Sequence, residues 1–281
     1  MKWGLEDVRV GSGRTLWLDG VTVPVGPGGV TVVVGGDGAG KSTCLRVMAG
    51  LAEPDAGTAR RPPKERIGYV PATIGMYPDL TVAENIDFTA GAYRLSGSER
   101  DRRASLLLER TGLAAARARL GGQLSGGMQR KLAVTLALLH SPELLVIDEP
   151  TTGVDPVSRT ELWRLIAGAA LEGAAVVAST TYVNEAARAA HVVLLDSGRE
   201  LASGSPADIL DSVPGALGSM MGKERPAATS WRRGMSWRVW SPDGTLPAGV
   251  RPVAPDFEDA VVVASLAATF PAAAATTGGA P

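Results

Sequence analysis

An α/β fold built on a mostly parallel sheet is what this 281-residue sequence predicts, and three observations carry the prediction. A β-branched run, Val30–Val34, feeds a glycine-rich loop and then a helical stretch over residues 42–51. A second apolar run, Leu144–Ile147, shows no polar alternation, as expected of a strand covered on both faces. Further strand and helix patterns alternate after it, which favours parallel strands with helical crossovers.

Residues 21–25 and 30–34 are short valine-rich runs separated by Gly-Pro-Gly-Gly, a strand–turn–strand signal. The helix over 42–51 is stopped by Gly50 and Pro54. Ser98 followed by Asp101 reads as a capping box opening a helix over 98–108. Residues 126–139 carry Met128, Leu132, Leu136 and Leu139 at helical spacing, giving one apolar stripe. Asp155 and Pro156 set an N-cap and a first-turn proline for a helix over 157–170. Residues 174–178 and 192–195 read as further buried strands. Beyond about Val213 the periodicity lapses, and 222–247 mixes Gly, Pro, Ser and Arg with Trp231, Trp237 and Trp240. Residues 255–266 read as a short final element, the alanine-rich stretch 260–275 as a weakly ordered tail, and 269–281 as low-complexity and mobile.

Bulk composition narrows the function. The 28 Lys+Arg stand against 29 Asp+Glu, a formal net charge of -1, so no basic surplus exists to neutralise a phosphate backbone and nucleic acid is not an expected partner. The single cysteine, Cys44, excludes an internal disulfide, suits a reducing compartment, and is expected to face the core. The first ten residues lack the apolar core of a signal peptide, and no run approaches the ~20 apolar residues of a spanning helix. A soluble chain is expected, with any membrane role exercised through a partner.

The chemistry lies in three motifs. In Gly35–Thr43, reading GGDGAGKST, the glycines let successive backbone N–H groups turn inward around an anion, and the following helix adds its positive end. Lys41 there is placed to reach β- and γ-phosphates, and the Ser42 hydroxyl to hold Mg²⁺. At the end of the buried strand, Asp148 suits a water-mediated Mg²⁺ contact and Glu149 the polarisation of an attacking water; a solvated turn is the alternative reading of such an acidic pair. Leu124-Ser125-Gly126-Gly127 opens a helix, and by itself it reads equally as an ordinary N-cap.

These motifs occur in one order over the first three-quarters of the chain, and together they resemble the ATP-binding subunit of an ABC transporter. Pro150 and Gly153-Val154-Asp155 extend the likeness, and Pro255-Asp256-Phe257-Glu258-Asp259 is similar to a segment closing the ABC-2-type drug-export branch. The resemblance implies a P-loop NTPase core with an antiparallel β subdomain and a helical subdomain at about 73–140, all within 1–213, then a C-terminal extension over 214–268 and a tail over 269–281. It implies ATP and Mg²⁺ as cofactors, with the phosphates held by Gly36, Asp37, Gly38, Ala39, Gly40, Lys41, Ser42 and Thr43. Glu149 and Lys41 would be catalytic, and Ser42 and Asp148 would hold the metal. Ser125, Gly126, Gly127 and Gln129 would form a signature acting in trans on a partner's ATP, with Asp155 in the D-loop. A second ATP-binding subunit and an integral membrane permease are the implied partners, the permease contacting residues 71–89 and holding the chain against the inner face of the cell membrane. Soluble ABC proteins acting on ribosomes or DNA fit less well, since neither a second ATP domain nor a coiled-coil insertion is visible.

The sequence also departs from the family pattern. Asp37 stands where relatives carry Asn, adding a negative charge beside the phosphates. Ala72 follows Ile67-Gly68-Tyr69-Val70-Pro71 where relatives carry a glutamine, and Thr181 stands where they carry a histidine. His140 and His191 are the only histidines, neither at that position; His140 precedes Ser141-Pro142 and reads as a surface residue. No aromatic for stacking adenine falls in 8–16; Trp17 is nearest but late in register, Trp3 is an alternative, and packing is the expected role of both. The breaks fall on this chain's own ATP-binding face while the signature is intact. An exporter ATPase subunit that is the weaker half of an asymmetric pair, a heterodimer in preference to a homodimer, is therefore expected, with a largely non-catalytic regulatory subunit as the alternative.

Overall fold

The computed structural model describes residues 2–270, so the expectations for the tail after Phe270 lie outside the described residues. In chain order the elements are β1 (Trp3–Ser12), β2 (Thr15–Val25), β3 (Val30–Val34), α1 (Lys41–Met48), β4 (Ala56–Arg60), β5 (Ile67–Val70), α2 (Val82–Ala92), α3 (Gly97–Thr111), α4 (Gly126–Leu138), β6 (Leu144–Ile147), α5 (Pro156–Leu171), β7 (Ala175–Thr180), α6 (Val183–Ala186), β8 (His191–Asp196), β9 (Arg199–Gly204), α7 (Pro206–Asp211), β10 (Ala216–Met221), β11 (Ser230–Arg233), β12 (Ser236–Ser241), β13 (Arg251–Pro252) and α8 (Phe257–Thr269). Two compact units divide this chain, Met1–Glu200 and Leu201–Pro281.

The six-stranded sheet has the order β5-β6-β7-β3-β8-β9, and its central pairs are parallel. Register matters more than order here. Val34 lies opposite Thr180, and Ile147 opposite Ala178, so the carboxyl ends of β3, β6 and β7 finish side by side. The glycine loop, the two acids and Ser179–Thr181 therefore emerge along one edge, where open α/β sheets bind ligands. Continuous burial accounts for the apolar sequence of β6 and of β7 up to Ala178.

The strand–turn–strand signal at 21–34 crosses between sheets: β2 pairs antiparallel with β1 in a β2-β1-β4 sheet, while β3 joins the parallel one. Helices α2, α3 and α4 share an apolar cluster in which Ile86, Leu108, Leu132, Leu136 and Leu139 are buried; the last three, with partly buried Met128, are the stripe read from the sequence. At α3 the expected cap is corrected. Ser96, not Ser98, accepts from Glu99 N–H at 3.3 Å, and no reciprocal box forms because the Glu99 carboxylate is engaged by Arg102 and Arg103. At α5 Asp155 accepts from Val157 N–H and Ser158 N–H, both at 3.0 Å, as expected of an N-cap. Those donors hold its carboxyl below the usual range.

His140 is not the solvated residue its turn position implied. Its ring stacks on Tyr93 at 3.6 Å between centroids and 5° between planes, and burial pushes its pKa down to about 4. Cys44 faces the core as expected, burial raising its thiol to about 12.

The second unit corrects the apparent lapse in pattern after Val213. Its described part holds a β11-β12-β10-β13 sheet, in which Trp231 lies opposite Arg238 and Trp240 opposite Leu217. Trp240 is fully buried and its indole N–H donates to the Pro214 carbonyl at 2.7 Å. Helix α8 runs to Thr269 with Ala260 and Val263 buried, so residues 260–269 are part of a packed helix and not a weak tail. Asp259 is completely buried beneath Arg233 and Arg238, at 2.9 and 3.2 Å. Among the described residues no helix is long and apolar enough to cross a membrane.

Candidate active site

The loop after β3 is built for close backbone approach. Gly40 has φ 102° and caps α1, and a Cβ there would fall 2.8 Å from the Leu18 side chain and 2.9 Å from the Trp17 carbonyl. No side chain caps α1, so the N–H groups of its first turn point into the space before it. Lys41 is almost wholly buried. Its Nζ donates to the carbonyls of Gly35 and Gly36, both at 3.0 Å, and pairs with Glu149 Oε1 at 3.2 Å. A cavity of about 580 Å³ opens here, bounded by Asp37–Thr43, Glu149, Thr15–Trp17, Ser197 and Gly198.

Both acids are pinned by one hydroxyl. Ser179 Oγ donates to Asp148 Oδ1 at 2.6 Å and accepts from Glu149 N–H at 2.9 Å, while Asp148 N–H donates to the Val70 carbonyl. Glu149 is held at φ 45°, a left-handed conformation that costs a non-glycine residue roughly 1 kcal/mol or more. The hydroxyl of Thr152 donates to Glu149 Oε2 at 3.0 Å, fixing the carboxylate's rotamer from its outer side.

Thr181 follows β7 and is exposed, outside the cavity lining. Its neighbours are held firmly. Buried Glu185 accepts from Thr151 Oγ1 at 3.0 Å and Thr180 Oγ1 at 2.6 Å, and the Arg159 guanidinium lies 4.1 Å over the Tyr182 ring.

Ser125 caps α4, its Oγ accepting from Met128 N–H. A Cβ on Gly127 would meet Ser158 Oγ at 2.6 Å, so glycine is required where α4 crosses the start of α5. Gly126 and Gln129 line a separate cavity with Ala72, and none of the signature residues borders the phosphate-loop cavity of its own chain. Asp148 lies beneath the cavity surface, 2% exposed, and does not line it.

These donors fit a nucleotide triphosphate and a hard cation. The loop turns through glycines of positive φ at Gly38 and Gly40, a buried ammonium sits beside it, and a hydroxyl and a carboxylate offer the oxygen ligands that Mg²⁺ prefers.

Sequence reasoning missed two partners of this site and misjudged a third. Trp17 is 48% exposed and borders the cavity, so packing is not its role; Trp3 is partly buried against the core. Ser179 was visible only as a landmark before Thr181, although an oxygen-bearing residue at a buried strand end beside two acids is itself a signal. Gly198 left no such signal: its role comes from accepting Asp19 N–H and donating to Ala39, contacts distant in sequence.

Residues 18–152 match the ABC transporter family model. The chain is 40% identical over 198 residues to the probable multidrug ABC transporter ATP-binding protein YbhF of Escherichia coli K12, spanning 67% of this chain and 34% of that one, about a third of its length. It is 33% identical over 218 residues to the Nod factor export ATP-binding protein I of Paraburkholderia xenovorans LB400, covering 74% and 72% of the two chains. Among solved structures it resembles an ATP-binding subunit of an ABC transporter (TM-score 0.69, 30% identity, 75% and 92% coverage). It also resembles the dimeric bacterial ABC transporter cassette MJ0796 (TM-score 0.63, 26% identity, 72% and 97% coverage). With an uncapped α1 behind a glycine cradle, and two acids fixed at the neighbouring strand end, the chain belongs to the family of ABC transporter ATP-binding proteins.

Proposed function

We propose that this chain binds and hydrolyses ATP to power export through a separate membrane permease, and that it is the weaker half of an asymmetric ATPase pair. The Lys41–Glu149 contact at the phosphate loop is the observation that carries the ATPase reading. Backbone N–H groups of 36–43 and Lys41 bind the phosphates; Ser42 and Asp148 would hold Mg²⁺, which would supply neutralisation of phosphate charge. Glu149 accepts a proton from the attacking water, and Ser179 keeps its backbone in the required strained turn. Trp17 offers its exposed face to the adenine.

Dimerisation is supported by the separation of the signature from the chain's own phosphate loop and by the dimeric state of MJ0796. Ser125, Gly126, Gly127 and Gln129 then seal the partner's nucleotide. Asymmetry rests on side-chain chemistry: Ala72 has no polar atom with which to contact the metal, and Thr181 is too short and not basic. A heterodimer lets an intact partner site use this chain's intact signature. The permease docks on 71–89, where Ile74, Tyr77 and Phe88 are exposed and Asn85 braces the Tyr77 backbone from within; this holds the chain at the inner face of the membrane. The export reading follows the similarity to the Nod factor export ATP-binding protein I.

Those two positions also favour a second reading, a largely non-catalytic regulatory subunit. Co-purification from native membranes, followed by ATPase assay of the chain alone and with its companions, tests both. Slow turnover alone and fast turnover in company support the asymmetric pair. Brisk turnover alone rejects it, and transport that survives Glu149→Gln unchanged selects the regulatory reading.

A further inference from the structure

We propose that Arg130 is a positioning residue that locks the loop after β5 to the signature helix, making through the backbone the connection that position 72 does not make through a side chain. The inference rests on reading α4 as the signature helix. One guanidinium serves three successive carbonyls: it donates to Pro71 at 3.0 Å, to Thr73 at 2.6 Å, and to Ala72 between them. A planar fork with fixed donors is pre-organised for such a set, and the shorter, freely rotating lysine ammonium matches it only in part.

The loop is tied at its other end to the acids. Val70 pairs with Ile147, and its carbonyl accepts Asp148 N–H at 2.8 Å, so Pro71 leaves the sheet directly beside Asp148. Burial lowers the pKa of the Arg130 guanidinium, and the fields of Asp148 and Glu149 oppose that shift only in part. A second contact lies one turn further along α4, where the Ala133 Cβ is only 3.2 Å from where a Cβ on Gly75 would sit; with φ 69° that glycine lets the loop close onto the helix. A cavity of about 250 Å³ beneath the guanidinium is bounded by Ala72, Gly126, Gln129 and Val154, so loop, signature and D-loop meet at this one cation.

The consequence is mechanical. A shift of Asp148 and Glu149 toward a nucleotide at this chain's phosphate loop moves Pro71–Thr73, and Arg130 carries that motion into the first turns of α4. That end of α4 faces the other nucleotide of the pair, so Arg130 couples the two ATP sites.

Amide exchange on the full chain tests this, at a concentration where light scattering shows a monomer, with and without Mg²⁺ and a non-hydrolysable ATP analogue. Without nucleotide, Arg130→Ala should speed exchange at Tyr77, whose N–H donates to Asn85 Oδ1 at the far end of this loop, by about tenfold or more, and Arg130→Lys should restore only part of it. With nucleotide, wild type should change exchange at both 38–43 and 126–130; Arg130→Ala should keep the first change and lose the second. A melting temperature common to both proteins excludes a general loosening. Persistence of the change at 126–130 in Arg130→Ala, full restoration by Arg130→Lys, or a wild-type change confined to 38–43 overturns the proposal. If nucleotide changes nothing at 38–43, the ATP reading has failed, and the nucleotide-free arm still decides whether Arg130 ties the loop.

Discussion

Lys41 Nζ stands 3.2 Å from Glu149 Oε1, so the cation expected to hold phosphates and the carboxylate expected to activate water neutralise one another. Phosphate oxygens entering the cradle give Lys41 stronger partners, and the carboxylate is then released toward the attacking water. Glu149→Gln should therefore lower ATP turnover by about 100-fold or more, the contribution of a positioned general base, while nucleotide affinity stays the same or tightens. Phosphate release and equilibrium nucleotide binding check this together. A variant that loses affinity in proportion to turnover would make Glu149 a binding group only.

Trp17 presents an exposed ring at the cavity edge, whereas Trp3 packs on the core. Stacking a base on an aromatic contributes roughly 1–3 kcal/mol, so Trp17→Ala should weaken ATP binding by about tenfold or more. Nucleotide should quench tryptophan fluorescence in wild type and in Trp3→Phe, but not in Trp17→Phe. Quenching retained in Trp17→Phe would place the base elsewhere.

Three positions set the expected weakness of this site. Asp37→Asn removes a like charge beside the phosphates and should tighten nucleotide binding a few-fold, more so at low salt. Ala72→Gln with Thr181→His should raise the turnover of the chain by about tenfold or more, since each restores the polar side chain that the family resemblance implies at that position. Steady-state kinetics on the single and double variants measure this. No gain in the double variant would mean that other residues limit the rate.

His140 gives the fold a pH dependence. Its pKa is depressed from 6.5 to about 4 because burial against Tyr93 disfavours the charged ring. The unfolded chain takes up this proton first, so the stabilisation is full above pH 6.5, declines as pH falls, and is lost through pH 4. His140→Phe keeps the stack and removes the titration. Melting curves should show wild type and variant diverging between those pH values, the variant losing less. Parallel curves would show that His140 titrates normally.

How far the sequence was legible follows from burial. β6 and the middles of β7 and β8 are covered on both faces and read as apolar runs, Leu144–Ile147, 175–178 and 192–195; the phosphate loop was legible because few residue types tolerate its backbone. The second unit was not, because β11 and β12 set Arg232, Arg233 and Arg238 among tryptophans on half-buried faces. Trp17 was misread because three irregularities in the β1–β2 pairing shift its register, which spacing along one strand does not reveal. At α3 two serines two residues apart offered equivalent caps, and only the neighbouring Arg102 and Arg103 decided how Glu99 was used. The environment of His140 depends on Tyr93, which comes from a different helix end.

Calorimetric titration of ATP with Mg²⁺ into the chain, beside the same titration into Lys41→Ala, tests the central claim most directly. The account predicts saturable binding of one nucleotide per wild-type chain and none to the variant. Absence of saturable heat with wild type, or equal heats with both proteins, would contradict it.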